Sequence, residues 1–152
     1  MIPPKIVEKI RSLVGRECTL QRVGNDKSLF IGFGNIHNMN TTPHGTWEIG
    51  AYDCSWRVVR SGSVLCGRDD AIDKINDLQT AFRDIKLGDF VSLNHLTDLD
   101  IRITFLCGTA IDVLCTISED DEVLHIFFPE NQVIVFSVGE GWRMGRSDKP
   151  WE

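Results

Sequence analysis

One pattern of glycine, leucine and aromatic residues occurs twice in this chain. Residues 13–33 run L-V-G-R-E-C-T-L, a polar gap, then L-F-I-G-F, and residues 87–108 run L-G-D-F-V-S-L, a second polar gap, then L-D-I-R-I-T-F-L-C-G. Superposed, they match Gly15 with Gly88, Leu20 with Leu93, Ile31 with Ile103 and Phe33 with Phe105, and a Trp-Arg dipeptide follows each copy, at Trp56-Arg57 and Trp142-Arg143. A unit used twice within 152 residues implies one body built from two related halves, and its wealth of β-formers makes that body strand-rich. The expectation is a single α+β domain over residues 1–152. Most of it is antiparallel β-sheet in two pseudo-repeated halves, with an N-terminal helix and one mid-chain helix.

The elements follow from local pattern. Pro3 and Pro4 sit where a first helical turn tolerates proline, and Ile6, Val7, Ile10, Leu13 and Val14 recur at helical spacing up to Gly15. Alternation with β-formers then covers 18–23 and 29–33, joined by the turn residues Gly24-Asn25-Asp26-Lys27. Residues 35–45 are rich in Asn, Thr, Pro and Gly without any period and read as an exposed loop. Strands resume at 47–52 and 56–59. Ala71, Ile72, Ile75, Leu78 and Phe82 signal the second helix, with Asp69, Asp70 and Asp73 in its first turns, where the helix dipole favours negative charge. After Gly88 six strands are expected, at 90–93, 99–105, 110–117, 123–128, 132–138 and 142–145, forming an antiparallel meander. Those at 123–128 and 133–138 are apolar on nearly every residue, so both of their faces need cover.

Chemical motifs are scarce. There is no G-x-S-x-G, no phosphate-cradling glycine loop, and no Ser or Cys set with His in a catalytic signature. His37 and His44 read as exposed polar residues, and with Cys54 and Cys66 they lack the paired short spacings of a zinc site. Neither cofactor nor metal is expected, and no enzymatic activity. Five irregularly spaced cysteines without C-x-x-C read as reduced thiols packed as small hydrophobes, and no apolar run is long enough to span a bilayer. With no signal-type start either, the expected location is cytoplasmic. Trp47, Trp56 and Trp142 are expected in the core and Trp151 at the surface.

Charge is the remaining signal. Residues 1–60 hold eight Lys or Arg against five Asp or Glu, whereas 61–152 hold eight against seventeen. Such a field repels nucleic acid and attracts a basic protein. The candidate partner-binding residues are Asp98, Asp100, Asp112 and the run Glu119, Asp120, Asp121 and Glu122, where a twelve-residue calcium loop with its glycine is lacking.

The order of motifs also resembles a family. Phe33-Gly34, Trp47-Glu48-Ile49, Trp56-Arg57, Gly67-Arg68-Asp69, Leu87-Gly88, the run from Asp98 through Leu99, Asp100, Ile101 and Arg102 to Ile103, and Gly141-Trp142-Arg143 together resemble small bacterial immunity proteins of polymorphic toxin systems, including those of contact-dependent growth inhibition. The similarity covers about residues 13–145. The acidic turn and the unequal spacing from glycine to tryptophan in the two copies do not map onto that group. What the resemblance implies is a non-catalytic cytoplasmic protein that binds a cognate toxin domain, often a nuclease, and blocks it. A small-ligand-binding β-rich module or a hydrolase is the alternative reading of the same residues.

Overall fold

Pro4 occupies the first position of helix α1 (Pro4–Ile10), where its missing amide hydrogen costs nothing. The helix tightens into a 3₁₀ turn over Arg11–Leu13 and buries Ile6, Ile10 and Leu13. In the computed structural model, which describes residues 1–52, 54–70, 75–118 and 122–148, five strands come next. They are β1 (Cys18–Val23), β2 (Leu29–Met39), β3 (Thr42–Ala51), β4 (Ser55–Arg60) and β5 (Ser63–Gly67). The second half repeats the order with helix α2 (Ile75–Arg83) and strands β6 (Phe90–His95), β7 (Ile101–Phe105), β8 (Thr109–Leu114), β9 (Glu122–Phe128), β10 (Gln132–Ser137) and β11 (Gly141–Arg146). The expected α+β class with a strand-rich antiparallel body is the class that forms.

Two sheets result, ordered β1-β2-β3-β9-β10-β11 and β5-β4-β8-β7-β6. Each half places its first three strands in one sheet and sends its next two to the other. The six late strands are therefore not one meander, because the chain changes sheets after β8 just as it does after β3.

The repetition is visible in the hydrogen-bond registers. Cys18 faces Phe33 as Phe90 faces Phe105, a bulge follows in both hairpins, and Gln21 faces Ile31 as Leu93 faces Ile103, so the offset is 72 residues throughout. Ile6 and Ile10 of α1 stand in the same offset to Leu78 and Phe82 of α2, and all four are buried. The transferred hairpins correspond as well, since Val58 faces Cys66 as Ile126 faces Ile134, an offset of 68. The two sheets meet where Glu17 pairs with Asp89, again 72 apart, with Cys18 N donating to Gly88 O at 3.0 Å and Phe90 N to Arg16 O at 2.9 Å. A pseudo-twofold axis passes through that bridge.

Several sequence expectations change. The pairs Ile31/Ile103 and Phe33/Phe105 occupy equivalent sites, but Gly15/Gly88 and Leu20/Leu93 lie 73 apart, one residue out of register, because the bulges rather than the identities set the pairing. Trp56-Arg57 lies in β4 and Trp142-Arg143 in β11, an edge strand with no counterpart among the described residues of the first half. That dipeptide is not part of the repeat. The expected loop 35–45 is a β arm, in which β2 runs on to Met39 and turns into β3 at Asn40 (φ 50°) and Thr41 (φ 67°), the two left-handed residues of a tight hairpin. Strand β5 has no forerunner in the sequence reading; it is closed by a similar turn at Ser61 and Gly62. Asp69 and Asp70 precede α2 and bond instead to Ser55 Oγ and Gly67 N, while Asp73 and Trp151 lie outside the described residues.

Both sheets turn an apolar row inward. Ile31, Ile49, Ile126 and Ile134 face Ile103, Ile111, Val58 and Cys66 within one core, and each side chain of this size removed from water contributes roughly 1.5–3 kcal/mol. Phe33 joins the sheets, its ring 6.1 Å from Phe90 and 6.5 Å from Phe105. Trp56 is buried, and Trp47 and Trp142 pack partly buried against the same core. In β10 the outward residues Val133 and Val135 are also buried, so this doubly apolar strand is covered on both faces.

Candidate functional site

The largest concavity among the pockets described here lies on the outer face of the six-stranded sheet. It is a cleft of about 660 Å3. Glu48 of β3, Tyr52 just after that strand and Phe127 of β9 form its floor, His37, Met39 and His44 of the arm one wall, and the turn Pro129, Glu130 and Asn131 the other. The arm leans over the floor because a bulge between Phe33 and Ile36 re-aims it and because position 45 is glycine: a Cβ there would stand 2.7 Å from Gly32 Cα and from Phe33 N.

That bend creates the polar centre of the cleft. Glu48 is only 4% exposed, yet its Oε2 lies 2.8 Å from His44 Nδ1 and its Oε1 accepts from Gly45 N at 3.3 Å. A buried carboxylate that orients an imidazole through Nδ1 leaves Nε2 as the nitrogen available to a bound group. The His37 ring centre lies 6.5 Å from that of His44. Tyr52 stacks edge-on against Phe30 at 5.4 Å and His125 at 4.7 Å, and burial first, with the Glu48 charge second, pushes its phenol up to about 12. Carboxylate, imidazole and phenol in one cleft can hold a polar group or move a proton. No serine or cysteine bonds to His44 among the described residues.

The acidic residues singled out by sequence fall into separate settings. Asp98 is exposed in the turn between β6 and β7. Asp100 builds that turn, accepting from Thr97 Oγ1 and from Cys115 N at 3.0 Å each. Glu122 begins β9 in the other sheet and pairs with His125 Nε2 at 2.8 Å and Arg143 Nη2 at 3.3 Å. Glu119, Asp120 and Asp121 lie outside the described residues.

Asp112 is fully buried, and its carboxylate serves the fold. Ile111 and Val113 point into the core, so alternation turns Asp112 to the opposite face, where its register partners are Arg57 and Arg102. Burial alone would raise its carboxyl, but hydrogen bonds from Arg102 and Arg57, together with their charges, hold it below the ordinary carboxylate value. A carboxylate without exposed surface meets no partner directly. What the sequence reading missed is Glu48, Tyr52 and Phe127; within a strand a spacing of four gives no signal that Glu48 meets His44.

The five cysteines form no disulfide, and Cys54 and Cys66 are buried in the core, far in character from the exposed His37. Burial pushes Cys18 up to about 12 and Cys66 up to about 11. Among the described residues no helix is long and apolar enough to cross a membrane. Comparison with protein-family models, with curated proteins and with solved structures finds no match.

Proposed function

We propose that this chain is a binding protein of the immunity type, cytoplasmic and non-catalytic, which occupies a surface of a basic toxin domain through the β2–β3 arm and the cleft beneath it. One observation carries the reading. Residues 35–41 of the arm are all exposed, including Ile36 at 50% and Met39 at 58%, on a hydrogen-bonded hairpin that projects from the sheet. A rigid arm presenting large apolar side chains to water gives the fold nothing, whereas it supplies a partner with anchors at little entropic cost. The net charge of −6 favours a cationic partner, and five cysteines without a disulfide suit a reducing compartment.

The test is co-expression with the toxin domain encoded beside the gene. Wild-type protein should protect the cell, and the Ile36→Glu/Met39→Glu variant should lose protection while its thermal unfolding stays unchanged. Protection that survives in that variant, or is lacking in the wild type, overturns the reading.

The His44–Glu48 pair favours a second reading, a small-ligand-binding or hydrolytic cleft. Turnover of an ester, phosphate or glycoside substrate that disappears in His44→Ala would establish it at the expense of the first.

A further inference from the structure

The outer face of the five-stranded sheet carries a second constellation, separate from the arm and the cleft. Arg57 on β4, Asp112 on β8 and Arg102 on β7 stand in one row, each the register partner of the next. The buried Asp112 carboxylate accepts from Arg57 Nε at 2.9 Å and from Arg102 Nε and Nη2 at 2.7 and 3.0 Å. Both arginine side chains nonetheless remain 44% and 40% exposed. The carboxylate thus engages one edge of each guanidinium and fixes its plane, while the remaining N–H groups keep access to solvent. Beside them lies a depression of about 330 Å3, lined by Arg57, Arg102 and Arg60, with Val59 and Ala110 also in its wall and Gly62 at the turn that borders it. Arg60 is held too, its Nε donating to Thr109 Oγ1 at 2.8 Å.

Arg60, however, alternates to the opposite face of β4, where its Nη2 also donates to Lys86 O at 3.3 Å. The two guanidiniums of Arg57 and Arg102 against one carboxylate leave a positive charge beside the depression, in a chain whose net charge is −6. Among the described residues no second carboxylate pairs with either arginine. Guanidinium forks match the oxygens of a tetrahedral anion, and arginines already fixed by a buried acid lose little freedom when they bind one. We propose that this depression is an anion site that takes a phosphate group on the guanidiniums of Arg57 and Arg102, with Val59 and Ala110 beneath the group's apolar neighbour. The site stands apart from the partner reading and does not depend on it.

The experiment titrates inorganic phosphate, and in a second arm methyl phosphate, into the full chain at constant ionic strength. It is run near pH 8, where methyl phosphate, with a second pKa of about 6, and most of the inorganic phosphate are dianionic. The arginine Nε–H resonances are followed by NMR. Saturable shifts at Arg57 and Arg102 are expected, together with about tenfold weaker binding in Val59→Glu, which sets a carboxylate in the wall of the depression and leaves both partners of Asp112 in place. Tighter binding of methyl phosphate assigns the site to a phosphorylated ligand, and tighter binding of inorganic phosphate to the free ion; either supports it. Shifts that fail to saturate, that chloride or acetate reproduces, or that survive unchanged in Val59→Glu would overturn it.

Discussion

Across β1, β2, β3, β9 and β10 one outward row of the six-stranded sheet reads Arg22, Phe30, Gly50, His125 and Val135. The matching row across β6, β7, β8, β4 and β5 of the other sheet reads Asn94, Arg102, Asp112, Arg57 and Gly67. In the first, Tyr52 lies over Gly50 between two aromatic rings; in the second, a buried acid sits between two arginines. The inward rows show no such divergence, being Ile, Val, Leu and Cys on both sides apart from Gln21, because they share one core and any change of volume there is felt by both sheets. Outward positions answer only to their own neighbours. Repetition therefore supplied the frame, and the outer rows are where the two halves acquired different chemistry.

The largest effect that can sharpen this contrast comes from emptying the charged row. The variant Arg57→Leu/Arg102→Leu strands the Asp112 carboxylate and should cost about 3–5 kcal/mol near neutral pH, measured by denaturant unfolding. In the wild type the folded Asp112 pKa lies below the ordinary carboxylate value, so its pairing stabilises above that range and is lost as pH falls through it. Without the arginines burial raises the same pKa, and the variant gains relative stability in acid. The two curves should converge at low pH; a constant gap would show that the arginines act by packing alone.

A smaller loss is expected in the aromatic row. Gly50→Ala places a Cβ 2.9 Å from the Tyr52 ring and should cost about 1–3 kcal/mol. Adding Tyr52→Ala should recover part of that loss, and strictly additive effects would deny that the two residues touch.

Alkaline pH probes the same row more gently. Tyr52 is the chain's one tyrosine, so tyrosinate absorbance reports it alone. Its folded pKa of about 12 lies above the ordinary tyrosine value of 10.0, so its contribution is complete below pH 10 and is lost as pH rises from there through 12. Titration of the folded protein at the ordinary tyrosine value would break the assignment. The smallest effect belongs to Asp98→Lys, which should shift stability by less than about 0.5 kcal/mol because the side chain is exposed.

Both helices and every strand after Gly88 could be read locally, since periodicity and turn residues are local properties. The change of sheet could not. Nothing in residues 51–55 or 114–122 distinguishes a chain that turns back beside its predecessor from one that crosses to the other sheet. The role of Asp112 was hidden for the same reason, because Arg57, 55 residues earlier, reaches it only through that crossing. The cleft was illegible on other grounds. Two residues four apart in a regular strand are separated by roughly 13 Å, and only the bulge at the base of the arm and the close approach at Gly45 bring His44 onto Glu48. The exposed arm itself was mistaken for a loop because Asn, Thr and Pro mask its pairing.

The exchange of hairpins between sheets also dictates the order of events during synthesis. When β4 and β5 leave the ribosome, their seat beside β8 does not yet exist, and β3 offers an unpaired edge until β9 arrives about 70 residues later. At roughly 5–20 residues per second that interval is about 4–15 s, during which Trp56, Val58 and Cys66 have no sheet to close over them. A nascent chain of this design stays unfinished until its last third is made. During that time the free edge of β3 is matched in register by the β9 of any neighbouring chain that is complete but not yet folded, since in the folded chain β9 is paired on both edges.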